Sequence, residues 1–331
     1  MTGGHAAGPS GSPHPRALTR GASVLVLGGG PDAEREVSLE SSRSVARALE
    51  SAGIPVRYEV IDQPTAMQLA GMPGDVVVPV LHGPYGEGGP LQDLLDRGGR
   101  PYVGCGPTAA RVCMDKVASK LHASAIGVAT AAAAVFNPRD TTPPIDPPVV
   151  IKPIHEGSSV GVHLCHTRAA WEAALPRVID DLRAHESRPY MVERLITGHE
   201  LTVGVLDPSS DGAVALPPIR IEPAAEFYDY HAKYTRDDTR YTVDPTLAPG
   251  VSDRIRREAL SLARAVGVRH LCRVDFLLDH DHQPWFLELN TMPGFTGHSL
   301  LPMAARHTGL DMPILCAMLV GWAIRDQQPM N

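Results

Sequence analysis

The sequence predicts an α/β protein with more than one domain. Residues 23–27 form an apolar run that enters three glycines and a helical pattern, which is typical of a strand–turn–helix unit. Residues 75–81 form a second apolar run before a Gly-rich segment. Residues 273–277 and 285–290 alternate polar and apolar side chains, which predicts two further strands. Shorter runs predict strands at residues 149–153, 191–196, 201–205 and 219–221.

Length and composition are those of an ordinary globular protein. The chain has 331 residues, enough for two or three domains, with 43% hydrophobic and 20% charged residues. A net charge of -7 without a basic run argues against nucleic acid as a partner, and no apolar run approaches the length of a membrane span. The five cysteines are scattered and odd in number, so we expect a reduced, cytoplasmic setting.

The first segments of the chain carry two local predictions. Residues 1–20 are small and polar and lack the apolar core of a secretory signal, which predicts a disordered tail. The glycines at 28–30 lack the G-x-G-x-x-G spacing, which argues against a nicotinamide cofactor. Glu34 falls at the start of the next helix, where the helix dipole alone also favours a carboxylate.

Two more glycine-rich segments follow predicted strands. Residues 82–89 (HGPYGEGG) lie at the end of the second strand, where open α/β sheets bind ligands. Residues 156–161 (EGSSVG) offer backbone N–H groups suited to covering phosphates, although no G-K-[ST] of a Walker A loop follows. Between the two segments, residues 90–98 and 107–126 predict helices, the second of which runs through Lys116.

Lysine is unusually scarce in this chain. Of 30 basic residues only four are lysine, and these are Lys116, Lys120, Lys152 and Lys233. A compact ammonium group and a planar guanidinium group are not interchangeable at a phosphate. The lysines that are retained are therefore candidates for phosphate contacts.

The two C-terminal strands bring oxygen ligands together if they pair as a hairpin. Side chains two apart on a strand share a face, so Arg273 lies beside Asp275, and Glu288 beside Asn290. Two carboxylates and an amide suit Mg²⁺, which takes one or two carboxylates plus phosphate oxygens. Considered alone, the pattern also fits a solvated strand face.

Motifs in order along residues 23–325 together resemble the ATP-grasp ligases, and most closely the D-alanine–D-alanine ligases. The motifs are GGG…AEREVSL, HG…GEGG, KP…EGSSVGV and ELNTMPGFT…HSL. Gly88 departs from the family pattern, because it replaces the usual aspartate of the second motif. The departure bears on the geometry of that loop and not on the reaction class.

The resemblance implies a three-domain ATP-grasp architecture with an N-terminal Rossmann-like (pre-ATP-grasp) domain. We expect an N-terminal α/β substrate domain over residues 21–106 and a central ATP-grasp subdomain over residues 107–196. A C-terminal ATP-grasp and metal-binding domain is expected over residues 197–331. The polar, aromatic segment 227–234 resembles the mobile active-site lid of these ligases.

The resemblance also implies a role for each site residue. Expected in catalysis are Glu34, Ser158, Tyr234, Arg273 and Gly294. Expected to contact the amino-acid substrates are Val37, His82, Ser299 and Leu300. Expected to bind ATP are Lys116, Lys152, Glu193, Arg194, Ile196, Glu200 and Lys233. Expected to hold two Mg²⁺ ions, for which Mn²⁺ can substitute, are Asp275, Glu288 and Asn290.

The same resemblance implies an ATP-dependent ligase that joins two D-alanines through a D-alanyl phosphate intermediate. Glu34, Ser158 and Tyr234 would form a hydrogen-bonded cluster, while Arg273 and the Gly294 N–H would steady a tetrahedral oxyanion. The product would serve the synthesis of peptidoglycan precursors. The expected partners are D-alanine and ATP, with no nucleic acid and no membrane, and a homodimer is implied by the family alone.

Two alternatives remain open at this point. A related ATP-grasp ligase could take a different D-amino acid or a D-hydroxy acid as acceptor, in a specialised or resistance pathway, and Gly88 gives this reading some support. Tyr234 favours an amine acceptor, because related depsipeptide ligases replace this lid segment. A non-catalytic nucleotide-binding protein would lack a metal ligand or a phosphate lysine, and none is missing here.

Overall fold

Three β-sheets with helices packed against them make up the described part of the protein, and the fold is mixed α/β as the sequence predicts. The structure, a computed structural model, describes residues 15–140, 142–158, 160–185, 188–223 and 239–327. The strands are β1 Val24–Gly29, β2 Val56–Ile61, β3 Val76–Pro79, β4 Ala133–Val135, β5 Val149–Pro153, β6 His163–Cys165, β7 Tyr190–Arg194, β8 His199–Leu206, β9 Val214–Ala215, β10 Ile219–Glu222, β11 Arg240–Val243, β12 Leu271–Leu278 and β13 Pro284–Asn290. The helices are α1 Pro15–Leu18, α2 Arg35–Ser51, α3 Ala66–Gly71, α4 Gly83–Glu87, α5 Pro90–Gly98, α6 Pro107–Met114, α7 Lys116–Ala125, α8 Arg168–Ala184, α9 Val251–Val266, α10 Leu300–His307 and α11 Met312–Asp326.

The first sheet is parallel and has the strand order β2-β1-β3. Every residue of β1 is buried, because its VLVLGG sequence carries no charge and helices cover it. Helix α2 approaches so closely that a Cβ at Gly28 would lie 2.1 Å from Ser42 Oγ, which requires glycine there. The sequence predictions include β1 and β3 but omit β2, whose charged VRYEVI sequence is only partly buried at the sheet edge.

The single helix predicted over residues 107–126 is wrong, because the chain breaks it at Asp115. Asp115 adopts an extended backbone conformation between α6 and α7. Its carboxylate accepts hydrogen bonds from Val117 N at 2.8 Å and Ala118 N at 2.9 Å, which is an N-cap arrangement. The break places Lys116 in the first turn of α7 instead of in the middle of a longer helix.

The second sheet is antiparallel, with the order β4-β7-β5-β6. Helix α8 covers it and contributes Trp171, which is fully buried and meets Phe136 edge-on at a centroid distance of 6.0 Å. The sequence predictions omit both α8 and α9. Helix α8 carries Pro176 in its interior, so its pattern is interrupted where a helix prediction needs continuity.

The third sheet is antiparallel and runs in the order β11-β10-β8-β12-β13, with β9 paired to β8. Helix α9 buries Ile255 and Leu262 in one core with β8 and β12. Helices α10 and α11 share a second core with the first sheet, in which Leu315 and Leu319 pack with residues such as Val45. The N-terminal and C-terminal parts of the chain are thus packed together by apolar contact.

No single helix among the described residues is long and apolar enough to span a membrane. Helices α10 and α11 are long and apolar enough only when they are counted together, and their axes are bent by 105° relative to each other.

Substitution of Gly198 by alanine is expected to destabilise the third sheet at the start of β8. Gly198 has a φ of +157°, and a Cβ there would lie 2.0 Å from the Leu278 backbone oxygen, so the backbone must move. We expect a loss of about 3 kcal/mol or more in the free energy of unfolding. The matched control is Gly127→Ala, because Gly127 has a φ of +77° but open space around its Cβ position.

Denaturant unfolding of the two variants separates the backbone clash from the cost of positive φ alone. The control should lose only about 1–2 kcal/mol, which is the cost of a left-handed conformation without a clash. Equal losses in the two variants would contradict the close approach of Gly198 to β12.

Candidate active site

Two adjoining cavities collect most of the predicted site residues. The smaller, which we call the Arg273 pocket, has a volume of about 120 Å³, and the larger, which we call the Lys152 cleft, has about 550 Å³. The pocket is lined by Glu34, Val37, His82, Lys116, Ser158, Glu200, Arg273, Glu288, Asn290, Gly294, Ser299 and Leu300. The cleft is lined by Lys116, Lys152, Glu193, Arg194, Ile196, Glu200 and Glu288. The cleft lies within the range of about 300–1,000 Å³ that is typical of small-molecule sites.

Among the described residues, Asp275 is the one predicted site residue that lines neither cavity. Asp275 is buried behind the residues of the Arg273 pocket, where it contacts Asn290. Lys233 and Tyr234, together with the predicted lid, lie outside the described residues.

The β12–β13 hairpin forms a wall shared by both cavities. Arg273 pairs with Asn290 and Asp275 pairs with Glu288 in antiparallel register, and the ladder shifts directly after Asp275. Residues opposite one another on paired strands share a face, so the four polar side chains lie together. The hairpin predicted from the alternating pattern is confirmed.

Asp275 is held by three neighbouring side chains. Arg273 donates from Nε to Oδ1 at 2.9 Å and from Nη2 to Oδ2 at 2.8 Å, which is a two-pronged, charge-assisted contact. Thr202 Oγ1 donates to Oδ1 at 2.5 Å, and Asn290 Nδ2 donates to Oδ2 at 3.0 Å. Asp275 therefore fixes the orientation of the arginine and of the amide at once.

The oxygen atoms around Glu288 fit a divalent cation that also binds a phosphate ligand. Within the described part of the chain, no three His, Cys, Asp or Glu side chains cluster as a self-contained metal site. Glu288 and Asn290 face the Arg273 pocket, and Glu288 faces the cleft as well. A carboxylate and an amide oxygen are ligand types that Mg²⁺ takes beside substrate phosphates, while the Asp275 carboxylate already accepts hydrogen bonds from Arg273, Thr202 and Asn290.

The glycine-serine loop after β5 reaches the start of α2. Ser158 Oγ donates a hydrogen bond to Glu34 Oε1. Ser158 has a φ of 51°, a conformation that costs a non-glycine residue about 1–2 kcal/mol. Glu34 occupies the N-cap position of α2, yet its side chain makes no capping hydrogen bond. The structure thus brings together Glu34 and Ser158, two members of the cluster that the resemblance implies.

Lys116 lies where the two cavities join. Its Nζ donates to the Glu156 carbonyl oxygen at 2.5 Å and lies 3.6 Å from Glu288 Oε2. Burial lowers the pKa of Lys116, while the Glu288 carboxylate acts in the opposite direction. The ammonium group thus connects the base of the glycine-serine loop to β13.

Glu193 lies between two lysines in the Lys152 cleft. Lys152 Nζ lies 2.5 Å from Oε1 and Lys120 Nζ lies 2.8 Å from Oε2, and all three side chains are at most 7% exposed. Burial alone would raise the pKa of Glu193, but the two ammonium groups outweigh it and hold that pKa below its usual value. The trio carries a net positive charge, which suits an anionic ligand.

The remaining cleft residues follow the turn between β7 and β8. Arg194 ends β7, and its backbone N–H donates to the Ala132 oxygen at 2.9 Å. Ile196 and Glu200 line the cleft on either side of Gly198. The turn therefore brings Ile196 and the Glu200 carboxylate to the cleft.

Small and apolar groups shape the other end of the Arg273 pocket. A Cβ at Gly294 would lie 2.7 Å from Ser299 Oγ, so the turn between β13 and α10 is closed tightly at glycine. Ser299 precedes α10, and its Oγ accepts from Thr296 N at 2.9 Å. Val37 and Leu300 add two aliphatic side chains that suit a small aliphatic group.

Helix α4 is tied to the loop after β13 by three hydrogen bonds. His82 Nδ1 faces the Met292 oxygen at 3.0 Å, Met292 N donates to Glu87 Oε2 at 3.1 Å, and Thr291 Oγ1 donates to the Glu87 oxygen at 3.3 Å. Burial, reinforced by the Glu34 carboxylate, raises the pKa of Glu87 to about 8, so this carboxyl is protonated at neutral pH. Burial also lowers the pKa of His82.

Gly88 ends α4 in a path that a side chain would obstruct. A Cβ at this position would lie 2.4 Å from the Pro84 oxygen. The aspartate that is usual in the resembling ligases would therefore force the loop to move.

Glu87, Lys120 and Thr202 belong to the site without a predicted role. Glu87 lies within the His82 motif and Lys120 is one of the four lysines, so the sequence carried a signal for both. Thr202 belongs to β8, and only the β8–β12 register, which pairs it with Asp275, brings it to the site.

The chain is similar to known ligases along most of its length. Residues 139–321 match the family described as D-ala D-ala ligase C-terminus. A D-alanine–D-alanine ligase B from Chromobacterium violaceum is 40% identical over 88% of this chain and 95% of its own length. A D-alanine–D-alanine ligase from Dechloromonas aromatica is 40% identical over 92% of this chain and 98% of its own length.

Solved structures give the same likeness. A D-alanine–D-alanine ligase from Bacillus anthracis, in complex with ATP, matches with a TM-score of 0.77 and 28% identity over 92% of this chain and 97% of that chain. A D-Ala:D-Ser ligase from Enterococcus faecalis matches with a TM-score of 0.76 and 24% identity over 91% of this chain and 99% of that chain. At 24% identity, the match to the D-Ala:D-Ser ligase shows a shared fold only.

Glu87→Gln is expected to change how stability depends on pH. The folded-state pKa of about 8 lies above the ordinary value of 4.5, so the folded protein binds this proton more tightly than the unfolded chain. The contribution is complete below about pH 4.5 and is lost as the pH rises through about 8. Glutamine does not titrate, so the free energy of unfolding of the variant should fall less over this window. Its NH₂ group cannot accept one of the two backbone N–H bonds that the carboxyl oxygens accept, so the variant should be less stable than wild type at low pH.

Chemical denaturation at a series of pH values measures the difference between wild type and variant. The exposed Glu50 on α2 offers a control, because Glu50→Gln should reproduce the wild-type profile. Parallel profiles for wild type and Glu87→Gln would contradict a proton on Glu87 at neutral pH.

Proposed function

The chain belongs to the D-alanine–D-alanine ligase family, and we propose that it joins two D-alanine molecules to D-alanyl-D-alanine at the expense of ATP. One observation carries the proposal. Glu34, Ser158 and Arg273 are far apart in the sequence, yet they converge on one pocket that opens into a cleft lined by three buried lysines. The product would serve the synthesis of peptidoglycan precursors.

The reaction requires that a carboxylate be activated. A carboxylate does not react with an amine at neutral pH, because oxide is a poor leaving group. Transfer of the γ-phosphoryl group of ATP to the first D-alanine forms an acyl phosphate and ADP. The amine of the second D-alanine then attacks the acyl carbon and loses a proton, and the C–O bond breaks to release inorganic phosphate.

The Lys152 cleft is proposed to bind ATP. Lys116 and Lys152, with Lys233 from the sequence, offset the charge on the phosphates. Glu193 and the backbone near Ile196 read the amino edge of adenine. The neighbouring residues Arg194 and Glu200 complete the site, with Glu200 at the ribose hydroxyls.

The Arg273 pocket is proposed to bind the two amino acids. Glu34 meets the ammonium group of the first D-alanine, with Val37 and His82 beside it, while Ser299 and Leu300 line the second subsite. Arg273 and the Gly294 N–H donate to the tetrahedral oxyanion that forms during the attack. The Ser158–Glu34 contact, with Tyr234 in the sequence-based proposal, closes the pocket against water, which would hydrolyse the acyl phosphate.

Asp275, Glu288 and Asn290 are proposed to hold Mg²⁺, for which Mn²⁺ can substitute. A divalent cation bound there would neutralise phosphate charge. Their own contribution is positional, because Asp275 orients Asn290 and Arg273 while Glu288 faces Lys116 across the junction of the cavities.

We also propose that the chain has a three-domain ATP-grasp architecture. The first sheet would belong to the N-terminal substrate domain of residues 21–106. The second would belong to the central subdomain of residues 107–196, and the third to the metal-binding domain of residues 197–331. The free, buried thiols of the five cysteines support a reduced, cytoplasmic setting.

Product analysis across a panel of acceptors tests the proposed function. Purified protein with Mg²⁺-ATP should release ADP and phosphate with D-alanine alone and yield the dipeptide by mass. Turnover only with D-serine, another D-amino acid or D-lactate would show that the acceptor is not D-alanine, and the proposed mechanism would still apply. ATP binding without turnover on any acceptor would overturn the proposed activity.

Arg273→Ala is expected to reduce turnover. Loss of one oxyanion donor typically costs about 10²–10³ in kcat. Arg254→Ala, which removes an arginine that pairs with Glu258 on α9, is the control and should stay within about twofold of wild type.

Thermal unfolding must accompany the Arg273 assay, because Asp275 loses its two-pronged partner in this variant. A folded Arg273→Ala protein with kcat within a few-fold of wild type would remove Arg273 from the oxyanion site.

A further inference from the structure

Lys120 is the one lysine that the proposed function leaves without a role. It lies four residues after Lys116 on α7, which places the two side chains on the same face of the helix. Lys120 is 5% exposed, and it lines the Lys152 cleft. Burial of an ammonium group is costly unless opposite charge and hydrogen bonds compensate for it. A buried lysine in a chain that otherwise prefers arginine therefore needs an explanation.

Three acceptors surround the Lys120 ammonium group. Nζ lies 2.7 Å from Thr130 Oγ1, 3.4 Å from the Ala131 oxygen and 2.8 Å from Glu193 Oε2. Two of its three hydrogens go to Thr130 and Ala131, and the Glu193 carboxylate forms an ion pair with the ammonium group. Lys120 is therefore engaged with the protein and is not placed to donate to a nucleotide.

Lys152 differs from Lys120 in this respect. Among the described residues, its Nζ has one partner, Glu193 Oε1, at 2.5 Å. Two of its three hydrogens thus remain for other acceptors in the cleft. Lys120 and Lys152 therefore share the Glu193 carboxylate, but only Lys152 has N–H groups available for a ligand.

Charge balance links the two lysines through Glu193. With Lys120 in place, each carboxylate oxygen of Glu193 has its own ammonium group. Without Lys120, the buried carboxylate would be left to Lys152 alone, and the attraction between unlike charges in a buried site would hold that ammonium more strongly. The positive charge of the cleft would also fall by one. Both effects would weaken the attraction for phosphate.

We propose that Lys120 is a positioning residue of the nucleotide cleft, which balances Glu193 so that Lys152 stays available to the phosphates of ATP. The proposal rests on the proposed function, because it takes ATP as the ligand of the cleft. Arginine would serve poorly at this position, since its planar fork does not match three acceptors arranged around one compact nitrogen.

A purely structural role for Lys120 makes a different prediction. Thr130 Oγ1 donates to the Phe286 oxygen at 3.1 Å, and Phe286 N donates to the Ala129 oxygen at 2.8 Å. Lys120 therefore also touches the bridge between the second and third sheets. If that bridge were its function, Thr130→Val would act like Lys120→Met, because both variants remove the same hydrogen bond.

A double-mutant cycle separates the two roles. The variants are Lys120→Met, Glu193→Gln and the combination of both, with Thr130→Val as the control that keeps every charge. The measurements are the Kd for ATP by calorimetry in the absence of D-alanine, the KM for D-alanine, and thermal unfolding. The double variant has no unpaired buried carboxylate, so it stays informative if Lys120→Met alone is too unstable to purify.

Lys120→Met should raise the Kd for ATP on the order of tenfold while the KM for D-alanine stays within about twofold. In the Glu193→Gln background the same substitution should raise the Kd for ATP by no more than about threefold, because only the loss of one positive charge remains and there is no carboxylate left to balance. Thr130→Val should bind ATP within about threefold of wild type.

Additive effects in the cycle would overturn the proposal, and so would a Thr130→Val variant as defective as Lys120→Met. The Kd for ATP does not depend on ligation, so a wild-type protein that binds ATP but forms no dipeptide would refute the proposed function and leave this test intact. A wild-type protein that does not bind ATP would refute both.

Discussion

The antiparallel pairing of β12 with β13 is the constraint on which the rest of the site depends. It sets Arg273 opposite Asn290 and Asp275 opposite Glu288, so that four polar side chains from two strands meet. Because side chains alternate between faces, a slip of one residue would send the polar set to the opposite side of the sheet. The flanking strand β8 secures the arrangement through the hydrogen bond from Thr202 to Asp275.

The site is completed by the N-terminal part of the chain. Ser158 contacts Glu34, and Met292 contacts both His82 and Glu87, although these partners are 124 to 210 residues apart in sequence. The Arg273 pocket therefore exists only when the first and third sheets are packed through their shared apolar core. A pocket assembled in this way can exclude water from an acyl phosphate, which a single flexible loop could not do.

Secondary structure was predictable where the sequence pattern was strong and local. The fully buried strand β1 has an uninterrupted apolar sequence and β5 begins with three apolar residues, and the sequence pattern predicts both. The edge strand β2 is partly exposed, so its sequence resembles a polar surface segment and was missed. The break at Asp115 also escaped prediction, because an N-cap and a mid-helix aspartate look alike until the hydrogen-bond partners are known.

The sequence by itself determined the identity of the chemical groups, namely the carboxylates, the scarce lysines and the glycine-rich loops, and hence the reaction class. The tertiary structure alone decided how those groups divide their contacts. In the folded protein, Asp275 pairs with Arg273, and burial raises the pKa of Glu87 to about 8. Lys120 is engaged with Glu193, while Lys152 keeps N–H donors for a ligand. The physical reason is that burial and partner distance set the charge and the free donors of a side chain, and both arise only when distant segments pack together.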